Sequence, residues 1–145
     1  MIKHFLVVLV CLAASSTFAN QLTLGADDVS ITGLTKEQAK QVLILVLRQE
    51  KYHLSNIGMY IDGDLQSQTG YYDFSLSYET PKAGATAYLG YYSINIKTGD
   101  VWEIESCIRY NFPSLRRLQR EITRRTGATL ADEKVARDEV GCPPK

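Results

Sequence analysis

Residues 71–79, Tyr-Tyr-Asp-Phe-Ser-Leu-Ser-Tyr-Glu, decide the fold. From Tyr72 onward the chain alternates, with Tyr72, Phe74, Leu76 and Tyr78 on one side and Asp73, Ser75, Ser77 and Glu79 on the other. Successive side chains of a strand point to opposite faces, so a period of two reads as a half-buried β-strand. A turn region at Pro81-Lys82-Ala83-Gly84 leads into a longer strand, with Tyr88, Gly90, Tyr92, Ile94 and Ile96 expected on one face. Lys97-Thr98-Gly99-Asp100 is a tight reversal whose glycine supplies the positive φ that a hairpin needs. Val101–Cys107 then returns, Trp102 and Ile104 facing one way and Glu103 and Glu105 the other. These strands make an antiparallel meander of three, or four if Met59-Tyr60-Ile61 adds a short one.

Helices flank the meander. Thr35 and Gln38 have the spacing of a capping box, and Ala39, Val42, Leu43, Val46 and Leu47 recur at i, i+3, i+4, i+7 and i+8. This helix is expected to run to about Tyr52 and to form the core. Downstream, Pro113 suits a first helical turn, Leu115, Leu118 and Ile122 mark an apolar face, and Gly127 is a stop. A short third helix is expected over 130–140. The fold class is α+β: an N-terminal helix packed on an antiparallel meander of three to four strands, with C-terminal helices and one disulfide.

The ends of the chain set the compartment. Phe5–Ala14 is an apolar run of ten residues, followed by Thr17 and Ala19 at the −3 and −1 positions of a signal-peptidase site. Ten residues span about 15 Å as a helix, half a bilayer, so no stable membrane anchor is expected. Cys11 lies inside the apolar run with Val10 before it, which disfavours lipidation. Residues 1–19 are thus read as a signal peptide cleaved after Ala19, and 20–145 as one periplasmic domain. That domain keeps Cys107 and Cys142, which in an oxidising compartment pair most simply as a disulfide.

The 145 residues hold 16 basic and 16 acidic side chains and are 45% hydrophobic. This balance excludes a disordered chain, a histone-like basic protein and a multi-span membrane protein. Catalytic equipment is sparse. His53 is the one histidine after the leader and has no GxSxG-type turn beside the helix end where it falls. Glu103 and Glu105 stand about 7 Å apart on one strand face, the spacing of an inverting glycosidase pair, yet alternate acids on a wet strand are commonplace. Asp62-Gly63-Asp64 lacks the further ligands of a calcium loop and reads as a turn. No enzyme activity, metal or cofactor is expected.

Two features are suited to binding. Arg116, Arg117, Arg120, Arg124 and Arg125 crowd the helix that Pro113 starts; they either solvate its flank or dock an acidic protein surface, and with no net positive charge nucleic acid is not expected. Tyrosine occurs nine times, doubled at Tyr71-Tyr72 and Tyr91-Tyr92. Alternation places Tyr72 and Tyr92 inside, and Tyr71 and Tyr91 on the opposite face as an exposed patch, unless a C-terminal helix covers them.

The hairpin Gly90-Tyr91-Tyr92-Ser93-Ile94-Asn95-Ile96-Lys97-Thr98-Gly99-Asp100-Val101-Trp102-Glu103 resembles that of PepSY-like domains, over a helix-plus-meander region of about 35–105. The resemblance implies restraint of secreted enzymes. In format alone, the small exported chain with one disulfide is similar to periplasmic immunity proteins that neutralise type VI secretion effectors attacking the cell wall. The expected partner is therefore another protein, a cell-wall hydrolase or toxin, with contacts drawn from Tyr71, Tyr91, Glu79, Lys82, Gly84, Arg116 and Arg120. The alternative is a module holding a small ligand, glycan or lipid on its tyrosine face. A homodimer through an exposed strand edge stays open.

Overall fold

Capping starts the first helix. In the computed structural model, which describes residues 24–63, 70–80, 82 and 84–144, helix α1 spans Lys36–Gln49. Thr35 Oγ1 accepts the Gln38 amide at 3.2 Å, and Gln38 Oε1 accepts the Thr35 amide at 2.9 Å, so the capping box forms as its spacing predicts. The helix ends three residues before the expected Tyr52. Lys51 turns left-handed at φ +65°, and the Tyr52 amide donates back to Leu47 O at 2.9 Å, closing the last turn.

The strands are β1 (Met59–Asp62), β2 (Tyr71–Thr80), β3 (Ala85–Asn95), β4 (Val101–Glu103) and β5 (Ile108–Arg109). They lie side by side in chain order, each antiparallel to the next, in one five-stranded sheet. Ala39, Val42, Leu43, Val46 and Leu47 of α1 are fully buried in one core with Phe74, Leu76, Tyr92, Ile94 and Val101 of the sheet. Each such aliphatic side chain contributes about 1.5–3 kcal/mol of burial, which is why α1 forms the main layer.

Helix α2 (Pro113–Thr126) completes that layer with Leu115 and Ile122, and Gly127 at φ +69° ends it. It is fixed to the β3–β4 turn by Gln119 Nε2 donating to Gly99 O at 3.1 Å and Thr126 Oγ1 donating to Lys97 O at 2.7 Å. Gly99 is required twice over: its φ is +66°, and a Cβ there would lie 2.6 Å from Ile122 Cδ1.

The opposite face of the sheet is half covered. Helix α3 (Glu133–Glu139), capped by Asp132, packs there in a second core of Tyr71, Trp102, Ala136, Val140 and Cys142. The Cys107–Cys142 disulfide forms and closes this layer. No helix among the described residues is long and apolar enough to cross a membrane. The expected signal peptide, residues 1–19, and Asp64 of the Asp-Gly-Asp turn lie outside the described residues.

Of the two readings left open for Tyr71, exposure in a patch or cover by a C-terminal helix, the structure shows the second: Tyr71 is 5% exposed because α3 covers it, and Glu139 accepts its hydroxyl at 2.7 Å. One expectation about faces is corrected. Tyr88 does not share a face with Gly90 and Tyr92. The register between β2 and β3 slips at Leu76/Ser77, so Tyr88 pairs with Ser77 while Gly90 pairs with Leu76. The extra residue, Leu89, carries the slip as a bulge and turns Tyr88 to the α3 side.

Candidate functional site

Away from α3, the back of the sheet is open. The register places Tyr60 of β1, Ser75, Ser77 and Glu79 of β2, and Thr86, Tyr88 and Tyr91 of β3 on this side. Tyr88 is 50% exposed and Tyr60 42%, whereas Ser75 and Ser77 lie nearly inaccessible between the rings. Toward the sheet centre Ser93 Oγ donates to buried Asp73. The Tyr91 hydroxyl is held above the usual phenol range by burial first, then by the charge and hydrogen bonding of Asp73. Tyr88 is raised too, by burial and then by the carboxylates of Glu105 and Glu103. The result is an aromatic rim over a polar floor, suited to protein recognition.

This surface continues onto the β2–β3 hairpin. Glu79, Lys82 and Gly84 are exposed at its tip, as are all residues of Ala85–Leu89. β4 pairs only with Tyr92–Ile94, so the hairpin projects past it as a finger. Of the expected contact residues, Tyr91, Glu79, Lys82 and Gly84 therefore share one end of the molecule, and Tyr71 does not join them.

Arg116 and Arg120 lie elsewhere, on the exposed flank of α2 with Arg117, and none of the three has a side-chain partner among the described residues. Glu121 pairs with Arg124 at 2.8 Å, one turn away, and Arg125 reaches Asp27 at 3.5 Å. Arg116 also lines a cleft of about 570 Å³ between α2, the 106–111 segment and the start of α3. The other two arginines of that cleft are engaged. Arg109 and Arg137 both stack over the Trp102 ring, with guanidinium carbons 5.8 and 5.4 Å from its centroid. Arg109 is also bound to Asp100 and Ala131 O, and Arg137 to the Cys107 and Pro143 carbonyls. Sequence reading found Trp102 only as a strand residue; nothing in spacing marks Arg137 as its partner 35 positions on.

Glu103 and Glu105 do not share the strand face expected of them. Strand β4 ends at Glu103, which is 8% exposed and accepts the amides of Glu105 at 3.1 Å and Ser106 at 2.7 Å. Glu103 thus caps the turn that delivers Cys107, while Glu105 sits outside the strand. His53 is exposed, and no group of three His, Cys, Asp or Glu among the described residues could hold a metal.

Beneath the sheet, Tyr92 and Tyr110 meet with ring centroids 6.4 Å apart. Burial, then the charges of Glu50 and Glu103, push the Tyr110 phenol up to about 12, and burial raises Tyr92 further. An unfolded tyrosine ionises near 10. The stabilisation from keeping these phenols neutral is present below pH ~10 and is lost as pH rises toward 12. Thermal melts between pH 8 and 12 are expected to fall steeply above pH ~10, and Tyr110→Phe to blunt the fall; an unchanged slope in that variant contradicts the assignment.

The molecule is a small α+β domain with an aromatic sheet face and a projecting hairpin, the build of a protein-binding module. The chain belongs to the type VI secretion system immunity protein Tgi2PP family, whose model matches residues 33–134. It is also similar to a chain in the structure of a type VI secretion system effector–immunity complex from Pseudomonas protegens, at 48% identity and a TM-score of 0.76. That match covers 84% of this chain and 100% of the other. No curated protein matches the chain. The PepSY-like resemblance of the 90–103 hairpin receives no such support.

Proposed function

We propose that this chain is exported to the periplasm, loses residues 1–19, and binds a type VI effector whose cell-wall-degrading cleft it blocks. It acts without catalysis. The observation that carries the reading is family membership across residues 33–134, alongside a solved relative that is part of an effector–immunity complex. The shape agrees with it: Tyr60, Tyr88 and Tyr91 lie on an open face beside a convex hairpin, which suits insertion into another protein's groove better than enclosure of a small ligand. In this reading the hairpin tip and Tyr91 form the centre of the contact, and the Arg116/Arg120 flank lies outside it.

The test starts from oxidised 20–145 protein used to recover a cell-wall hydrolase from envelope extract, with the hydrolase then assayed on purified peptidoglycan. Stoichiometric inhibition is expected. The double variant Glu79→Lys/Lys82→Glu, and separately Tyr91→Ala, is expected to weaken binding about 100-fold, and Arg116→Glu/Arg120→Glu only a few-fold. Inhibition that survives both hairpin-side changes and fails in the arginine variant overturns the placement.

A further inference from the structure

We propose that two copies of this chain pair through the outer edge of β3, residues 85–89, as a twofold antiparallel ribbon. The direction of the backbone groups carries the idea. The Glu79 amide donates to Gly58 O at 2.8 Å, on the β1 side, so Glu79 points its main chain away from β3. Its cross-strand partner Thr86 must then point its own N–H and C=O away from β2, as must Tyr88 opposite Ser77. Past the bulge, the same side of β3 is used for β4: Tyr91 O accepts the Ile104 amide at 2.8 Å, and the Asn95 amide donates to Asp100 O. Because β4 pairs only with Tyr92–Ile94, Thr86 and Tyr88 have no main-chain partner among the described residues.

The other two edges of the sheet are blunted, β1 being four residues long and ending in Asp62 and β5 only two. The β3 edge has none of these protections. Ala85-Thr86-Ala87-Tyr88-Leu89 is exposed throughout, uncharged and free of proline, the composition that invites another strand.

The occupant that fits is a second copy. A twofold axis at Ala87 sets Thr86 of one chain opposite Tyr88 of the other, so each of the two outward-pointing residues exchanges both of its main-chain bonds. Ala87 meets its counterpart at the close, non-bonded position, where a small side chain is needed. Charge agrees as well. Glu105 and Glu103 raise the Tyr88 phenol, which puts their negative field at the base of this edge, while Lys82 is exposed at the tip. Antiparallel pairing runs the tip of each hairpin toward the base of the other and so brings Lys82 toward the partner's acidic turn. The dimer covers the hairpin tip, so self-pairing and effector capture exclude each other; the pairing itself does not depend on the effector reading.

Sedimentation equilibrium of oxidised 20–145 protein tests this without any partner. The expected result is a concentration-dependent dimer that weakens with added salt. Thr86→Pro removes only an outward N–H, which bonds nothing within its own sheet, and is expected to raise the dimer dissociation constant about thirty-fold with the thermal midpoint nearly unchanged. Ala87→Lys, which sets two ammonium groups against each other at the axis, is expected to abolish the dimer while the far-ultraviolet circular dichroism stays native. A chain that stays monomeric up to about 1 mM, where the weakest specific association would show, overturns the proposal and leaves the edge to a strand of the effector. A dimer indifferent to both variants overturns the choice of edge.

Discussion

Trp102→Ala is expected to destabilise the protein by about 3–5 kcal/mol, among the largest losses for any single side chain here. The indole is fully buried, the guanidinium groups of Arg109 and Arg137 both lie over its ring, and its N–H donates to Asp100 Oδ2 at 3.1 Å. Removing it leaves a cavity under α3 and strips two cations of the ring face that they stack on. Asp100 keeps its 2.9 Å ion pair with Arg109, so the loss is one of packing more than of charge. Urea unfolding checks the prediction, and Trp102→Phe, which keeps one aromatic ring but loses the N–H donor and part of the indole volume, is expected to lose less, about 1–3 kcal/mol. A loss below about 1 kcal/mol for the alanine variant means that α3 does not depend on these ring contacts.

Opening the Cys107–Cys142 bond is the other large effect. The bond closes a 36-residue loop, 107 through 142, and in the chain-entropy account that is worth roughly 4 kcal/mol. Cys107→Ser, Cys142→Ser and the double variant are expected to lose this same amount, as is the wild-type chain under reductant. The loss concentrates at α3. Cys107 sits left-handed at φ +52°, a conformation held from one side by the disulfide and from the other by Arg137, which donates to its carbonyl at 2.9 Å. Limited proteolysis after reduction is expected to cut first within residues 128–144. Because Trp102 and Cys142 share one cluster, Trp102→Ala on the reduced background is expected to lose clearly less than the two single effects combined. Full additivity contradicts the picture of α3 docking as a unit.

Most of the fold was legible because its elements obey local rules. The Thr35/Gln38 box, the i, i+3, i+4 stripe of α1, the alternation from Tyr72 to Tyr78, the Gly99 reversal, and Pro113 and Gly127 at the ends of α2 each depend on neighbours a few residues away. The errors arise where distance intervenes. A one-residue bulge at Leu89 inverted the face of Tyr88, and alternation has no way to signal an inserted residue. Alternation left Tyr71 open between exposure and cover because its cover, α3, comes more than sixty positions later, and Glu139 reaches it only in three dimensions. The candidate contacts read likewise. The Glu79–Gly84 turn and Tyr91 converge because one hairpin carries them all, whereas Arg116 and Arg120 share nothing with them but charge. The Arg109–Trp102–Arg137 stack was invisible, since its members come from β5, β4 and α3.

The order of the strands has a kinetic consequence. Every strand pairs with the one just before it in the chain, so each step of sheet formation closes only a short loop. Chains dominated by such near-neighbour pairings reach the native topology quickly, because little loop entropy is lost before contacts form. Here the sheet can assemble strand by strand, and the distant ties, Tyr71 to Glu139 and Cys107 to Cys142 among them, close onto a topology already formed. The speed of folding is then set by the sheet alone, and the disulfide adds persistence and not pace.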